Sequence, residues 1–190
     1  MEYKELFKQI YRLIRQPRNE WQTIVEHEKD STKVINNFVI PMTGICALCA
    51  FLGQLFQGAG FEKALIAVII SLGKNFGGVY FTFFILQETA KFFGTKRNKT
   101  AHLQLVGYSF VAIFTIDIIY KLIPEFFFLP ILQLYILYII WEASEIVVKI
   151  EDKKRVMYVF FTSITMLALS SAIGTILSKT IKASSEIIAA

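Results

Sequence analysis

The sequence predicts an all-α, polytopic membrane protein built as a bundle of five transmembrane helices. The first observation is a stretch without charged residues from Val34 to Phe61, which four further apolar segments follow. About 20 apolar residues in a helix are enough to span a hydrocarbon core of about 30 Å. The second is the composition, because 55% of the 190 residues are hydrophobic and only 18% are charged. Soluble domains carry about 25% charged residues, so this chain is predicted to lie in a bilayer.

Residues 1–33 are predicted to form amphipathic helices on the cytoplasmic side of the membrane. Apolar side chains recur at helical spacing between Leu6 and Ile14, and Pro17 separates this stretch from a second, shorter one. The membrane-surface residues predicted here are Lys4, Lys8, Arg12, Arg15 and Trp21. Two interpretations stay open, because the same apolar stripe suits either contact: the helices lie on an anionic membrane surface, or they pack on the cytoplasmic mouth of the bundle.

Residues 34–178 are predicted to form the five spans. Their expected ranges are about 34–56, 64–93, 102–123, 126–148 and 156–178. The second is interpreted as one long, tilted helix, because the apolar stretches on either side of Lys74 and Asn75 are each too short to cross alone. Residues 179–190 then form a short tail on the side of the membrane away from the cytoplasm.

The distribution of Lys and Arg predicts the orientation. Basic residues are concentrated before span one, between spans two and three, and between spans four and five, and they are sparse at the other span ends. Cytoplasmic segments are the richer ones, so we expect a cytoplasmic N-terminus and a C-terminus outside. The expected location is the inner membrane of a cell, or the endoplasmic reticulum or Golgi membrane if the chain is eukaryotic.

Ionisable residues inside the spans are the candidate functional residues, because each is unfavourable in hydrocarbon unless it is paired or hydrated. At about 1.5 Å per helical residue, Asp117 lies roughly 22 Å along span three, in its outer half. Lys74 enters span two from the outer side and has a long flexible stem. We therefore predict an ion pair between Lys74 and Asp117, with Asn75 nearby.

A second polar cluster is predicted towards the cytoplasmic side. It comprises Glu88, Lys91, His102, Glu142 and Glu145. Glu142 and Glu145 share a helical face, so they need a cation between them or beside them. Three interpretations stay open: pairing with Lys91 and the loop lysines, an ion or proton role, and a bound metal. No close ligand spacing such as His-Glu-x-x-His supports the metal.

The motifs of common enzymes are absent from the sequence. Ser109 follows Gly107 and Tyr108 but lacks a complete Gly-x-Ser-x-Gly elbow, and there is no Walker loop. No catalytic residue, metal site or cofactor is therefore expected. The net charge of +5 is spread over short segments between apolar runs, which argues against a nucleic-acid partner.

Several short sequence features, taken together, resemble the Yip family of five-span membrane proteins in its short bacterial form, over roughly residues 7–178. The residues that carry this resemblance are Pro17, Trp21, Ile24, Asn36, Asn37, Phe38, Pro41, Gly107, Tyr108, Ser109, Leu134 and Tyr135. The resemblance implies an all-helical bundle with a cytoplasmic N-terminus. Eukaryotic relatives engage Rab-type GTPases, but only about 33 residues precede the first span here, so Rab binding is not carried over.

The leading interpretation is a non-enzymatic membrane protein that organises lipids or other membrane proteins. Its expected partners are the lipid bilayer and either other membrane proteins or a second copy of the chain, since small residues such as Gly73 and Gly77 pack spans together in bundles and in dimers alike. The alternative is a small transporter or an ion- or proton-conducting protein that uses Lys74, Asp117, Glu142 and Glu145.

Overall fold

A computed structural model describes residues 3–27 and 30–189, so that Lys29, one of the basic residues before span one, lies outside it, as does the last residue of the predicted tail. The described residues are helical with no strand. The α-helices are α1 (Tyr3–Arg15), α2 (Pro17–His27), α3 (Ser31–Val34), α4 (Ile40–Phe56), α5 (Phe61–Thr89), α6 (Lys99–Ser109), α7 (Val111–Leu122), α8 (Ile136–Ile146) and α9 (Asp152–Ala189). A π-helix (Ile35–Val39) precedes α4, and a 3-10 helix (Leu129–Tyr135) precedes α8.

Within the described residues, five segments are long and apolar enough to cross a membrane. They are Ser31–Phe56, Phe61–Thr89, Lys99–Leu122, Leu129–Ile146 and Asp152–Ser184. The second is one uninterrupted helix, as the sequence predicts. We call the end of the bundle with the turns at 90–98 and 147–151 the proximal end, and the end with the turns at 57–60 and 123–128 the distal end.

The first span begins with an irregular segment. The Asp30 carboxylate accepts a hydrogen bond of 2.9 Å from the backbone amide of Thr32, which lowers the pKa of that carboxyl and caps α3. The π-helix follows, and the Ile40 amide donates to the carbonyl oxygen of Ile35. The next residue is Pro41, which has no amide hydrogen to donate and crowds the preceding turn. A widened turn before a proline relieves that crowding.

The fourth span departs from the regular helix predicted over 126–148. Residues 124–128 form turns, and a 3-10 helix runs to Tyr135 before α8 begins. Pro130 explains the difference, because proline fits the first turn of a helix but not its interior. The α-helical part of this span is therefore short and covers its proximal half.

Helices α5 and α9 pack antiparallel along much of their length. Small residues make this possible: a Cβ atom on Gly73 would overlap Leu177, and one on Gly77 would lie 2.8 Å from a methyl carbon of Ile173. Gly78 lies against both Ser170 of α9 and the ring of Phe110, where α5, α9 and the third span meet. The small residues of span two are thus used inside this chain.

An aromatic core joins the N-terminal helices to the spans. The ring centroids of Phe38 and Tyr108 are 4.8 Å apart, and those of Trp21 and Tyr108 are 6.1 Å apart. Phe110 and Phe114 continue this core along the third span, with centroids 5.6 Å apart. All five rings are almost completely buried. Helix α2 is therefore part of the bundle's core and not an appendage.

Helices α4 and α7 approach closely where Gly53 lies against the carbonyl oxygen of Lys121, so tightly that a Cβ atom would overlap it. We expect Gly53→Ala to lower the free energy of unfolding by about 2–3 kcal/mol, because overpacking against backbone forces the two helices apart. Thermal or steric-trap unfolding in detergent measures this. Gly44→Ala in the same helix is the control, since nothing lies within 4 Å of its added Cβ atom. Equal stability of the two variants would contradict the packing described.

Candidate functional site

The distal charge cluster consists of Lys74, Asp117, Lys121 and Ser71. The Lys74 ammonium donates to Oδ1 of Asp117 at 2.7 Å, so the ion pair predicted from the sequence is present. The Lys121 ammonium lies 2.7 Å from Oδ2 of Asp117 as a second ion pair, and it donates a hydrogen bond of 2.7 Å to Ser71 Oγ. Sequence reasoning missed Lys121, although its position four residues after Asp117 is a helical pairing signal.

This arrangement neutralises a buried carboxylate, since only 5% of the surface of Asp117 is exposed. The two lysine side chains remain 21% exposed, so they are more accessible than the carboxylate that they neutralise. Two ammonium groups facing one carboxylate leave the cluster with a net positive charge. Asn75, expected near this pair, is fully buried, and neither polar atom of its side chain finds a hydrogen-bond partner among the described residues.

The proximal charge cluster is built on Glu142 and Glu145 of α8. Arg18 of α2 lies between them, at 3.2 Å from Glu142 and 3.5 Å from Glu145. Arg155 of α9 contacts the other oxygen of Glu145 at 3.0 Å, and its guanidinium carbon lies 4.3 Å from the ring centroid of Trp141. The two carboxylates therefore hold α2 and α9 against α8.

The composition of this proximal cluster corrects the sequence prediction. The partners of Glu142 and Glu145 are arginines, not Lys91 and the loop lysines. Glu88 is exposed and pairs with Arg97 across the turn after α5. Helix α5 ends at Thr89, so Lys91 lies in that turn. The depth of Lys91 in the membrane therefore does not follow from its position along a helix.

His102 also stands apart from the charged groups. It is fully buried on α6, and neither ring nitrogen has a hydrogen-bond partner in residues 3–27 and 30–189. Within the same described residues, no group of three or more His, Cys, Asp or Glu side chains is close enough to hold a metal ion.

Helices α1 and α2 form a hairpin that is fastened to the spans. Arg12 and Glu20 close it with an ion pair of 2.7 Å. The indole of Trp21 is completely buried and donates a hydrogen bond of 3.2 Å to the carbonyl oxygen of Ile139. The Tyr135 hydroxyl donates a hydrogen bond of 2.6 Å to the carbonyl oxygen of Ile14. The prediction that Trp21 contacts the membrane surface is therefore wrong. Its apolar ring is used to pack α2 on the bundle, which is the other interpretation the sequence allowed.

Helix α1 presents two different faces. Leu6 and Leu13 are buried against the bundle, at 2% and 0% exposure. The outer face carries three exposed aromatic residues one turn apart, Tyr3, Phe7 and Tyr11, at 74%, 60% and 57% exposure. The predicted basic residues Lys4, Lys8, Arg12 and Arg15 are exposed as well.

Helix α1 lies beside the spans. At its start, Tyr3 and Leu6 line a cleft of about 530 Å³ together with α4 residues from Ile40 to Leu48. Near its end, Ile14 lines a cavity of about 260 Å³ with Thr115 and other residues of the third and fourth spans. Helix α1 therefore lies against the first, third and fourth spans, and Ile14 near its end is level with residues in the distal halves of spans three and four.

Buried polar side chains on α5, α6 and α9 form a set that we call the polar seam, and sequence reasoning named only Asn75 and His102 among them. Each helix contributes a pair spaced by seven residues, which places both members on one helical face. The pairs are Asn75 and Thr82, His102 and Ser109, and Ser163 and Ser170. All six are at most 3% exposed, and their side-chain polar atoms lack hydrogen-bond partners within the described chain. Buried polar groups of this kind are commonly satisfied by internal water.

Comparison with known proteins identifies one similarity. A family model described as the Yip1 domain matches residues 11–173, which is most of the chain and includes the first four spans and most of the fifth. Neither the comparison with curated proteins nor the comparison with solved structures gave a match. The matched range begins within α1 and ends within α9, so α2 and both charge clusters belong to the matched region, whereas residues 3–10 of α1 lie outside it.

The double pairing of Asp117 makes a specific prediction about stability. Asp117→Asn should lower the free energy of unfolding by about 3–5 kcal/mol, because it leaves two lysines without their anion in a buried place. Lys121→Gln should lower it by only about 1.5 kcal/mol, because Lys74 still neutralises the carboxylate. Reversible unfolding in detergent, followed by circular dichroism, measures both. An equal decrease in the free energy of unfolding in the two variants would contradict this prediction, because it would mean that Lys121 matters as much as the carboxylate.

Proposed function

Because the chain belongs to the Yip1 domain family of multi-pass membrane proteins, we propose that it organises lipids around its N-terminal hairpin and catalyses no reaction. The family is generally non-enzymatic. The single observation that carries the proposal is the outer face of α1, where an aromatic row and a basic row lie side by side on a helix fixed to the bundle. Helices of this composition lie at the boundary between headgroups and acyl chains.

The way the hairpin is attached supports this role. A free amphipathic helix loses conformational and rotational freedom when it binds a membrane, whereas α1 is already held by Tyr135, by the Arg12–Glu20 pair and by α2. Within the described residues, Lys8 pairs with Glu5 and Arg12 with Glu20, which leaves Lys4 and Arg15 as the basic side chains most available to the phosphates of anionic lipids. An interaction with such lipids contributes about 1 kcal/mol per basic residue near the surface.

We propose that the proximal end faces the cytoplasm. Basic residues before span one and in the proximal turns outnumber those at the distal end, which is the distribution that orients multi-pass proteins. The membrane would be the inner membrane of a bacterial cell, or that of the endoplasmic reticulum or Golgi in a eukaryote.

The seam between α5, α6 and α9 favours a second candidate function, a small transporter or proton-conducting protein. Buried hydroxyl, amide and imidazole groups in spans mark many proton and ion paths. Two observations favour the organising role over the conducting one. Asp117 forms ion pairs with two lysines, and Glu142 forms an ion pair with Arg18. The two carboxylates therefore belong to separate, internally paired clusters.

The organising role is tested by lipid selectivity. We expect spin-labelled phosphatidylglycerol to associate with the reconstituted protein more strongly than spin-labelled phosphatidylcholine. The triple variant Lys4→Gln, Lys8→Gln, Arg15→Gln should lose about fivefold or more of that preference, because it removes three charges from the face of α1. Electron paramagnetic resonance gives the fraction of motionally restricted lipid in each case.

The matched control for this test removes three exposed lysines elsewhere at the proximal end, with Lys33→Gln, Lys96→Gln and Lys153→Gln. It changes the net charge equally and leaves α1 intact. An equal loss of selectivity in both triple variants would mean that overall charge, and not the face of α1, attracts the lipid. That result would refute the proposed role of the hairpin.

The two candidate functions are separated by a flux assay. Proteoliposomes with an imposed pH or potassium gradient should show no more flux than protein-free liposomes if the protein is an organiser. If it conducts, wild-type flux should exceed the background, and Thr82→Val or Ser163→Ala should reduce it, because both interrupt the seam. Flux that depends on the seam in this way would favour the second function and reject the first.

A further inference from the structure

We propose that the distal charge cluster binds the phosphate-bearing headgroup of an anionic lipid in the distal leaflet. A cavity of about 370 Å³ opens beside this cluster between α4, α5 and α7. Its polar lining comes from Gln54, Gln57, Ser71, Lys74, Tyr120 and Lys121. Each of these side chains can donate a hydrogen bond, and the cavity lining contains no carboxylate.

Charge balance points to an anion as the occupant. Asp117 lies behind Lys74 and Lys121 and does not line the cavity, so the cavity faces two ammonium groups while their shared carboxylate is turned away from it. One positive charge of the cluster is left without a counter-charge. In a partly buried setting of low dielectric, that charge attracts an anion more strongly than it would in water.

The position and the apolar part of the lining point to a lipid as the source of that anion. The cavity lies within about two turns of the distal ends of α4 and α7, at the level where the headgroups of a bilayer begin. Its remaining lining is apolar and comes from Ala50, Ala67, Ile70 and Pro124. A phosphodiester would meet the ammonium groups, and the glycerol and first acyl carbons would lie on the apolar wall.

The site is separate from the face of α1, because no residue of α1 lines this cavity. It does not depend on which end of the protein faces the cytoplasm. It also gives Lys121 a purpose that the ion pair with Asp117 does not require, since Lys74 alone already neutralises that carboxylate.

Photo-crosslinking with a phosphatidylglycerol that carries a reactive group on its headgroup tests this site in the full chain. We expect crosslinks, mapped by peptide mass spectrometry, in residues 50–57 and 120–124. The lipid concentration for half-maximal crosslinking should rise about tenfold in Lys121→Gln, which removes the unbalanced charge and one charged hydrogen bond. It should not change in Lys63→Gln, which removes a lysine from the same end but not from this cavity.

Other arms keep the proposal falsifiable if Lys121→Gln folds poorly. Gln57→Glu places a carboxylate on an exposed residue at the cavity mouth and should also weaken crosslinking about tenfold. Unchanged half-maximal concentrations in both variants would overturn the site. So would equal labelling by a phosphatidylcholine probe. Inorganic phosphate that blocks labelling at concentrations matching the lipid's would show that the ligand is a free anion and overturn the lipid assignment.

Discussion

The neutralisation of charge inside the bundle is the constraint on which the rest of this structure depends. An ion in hydrocarbon is unfavourable by several kcal/mol unless an opposite charge and hydrogen bonds replace its water. Asp117 meets this need with two lysines, and Glu142 meets it with Arg18. Each of these clusters also joins helices that are distant in sequence, so the pairing that removes the charge fixes the register of the bundle.

The same constraint determines which surfaces are left for function. The small residues and ion pairs of the spans lie in contacts between spans, and α2 packs into the aromatic core around Tyr108. The features that the packing of the spans does not use are the exposed aromatic row of α1, the cavity beside Lys121 and the polar seam of α5, α6 and α9. The first two suit contacts with lipid. The polar seam is the feature that a conducting function would need.

Much of the architecture follows from local sequence. The charge-free stretch from Val34 and the apolar segments after it predict the spans, and depth counting along two helices predicts the Lys74–Asp117 pair. The contacts of the N-terminal hairpin with the spans could not be predicted in this way. Arg18 reaches Glu142 only because the hairpin folds back on α8, and nothing in the pattern around Trp21 distinguishes a lipid surface from a protein one. The sequence pattern places Lys91 inside the second span because apolar residues continue past Thr89, where α5 ends.

Hydration of the buried carboxylates tests the central claim that protein cations, and not water, neutralise them. Glu142 and Glu145 make a matched pair on one helix, since their side chains are 11% and 46% exposed. In bilayers, water-edited solid-state NMR should show slow transfer from water to the carboxylate carbons of Asp117 and Glu142 and fast transfer to that of Glu145. Equally fast transfer to all three would mean that water fills the bundle around these charges, and it would contradict neutralisation by the lysines and arginines.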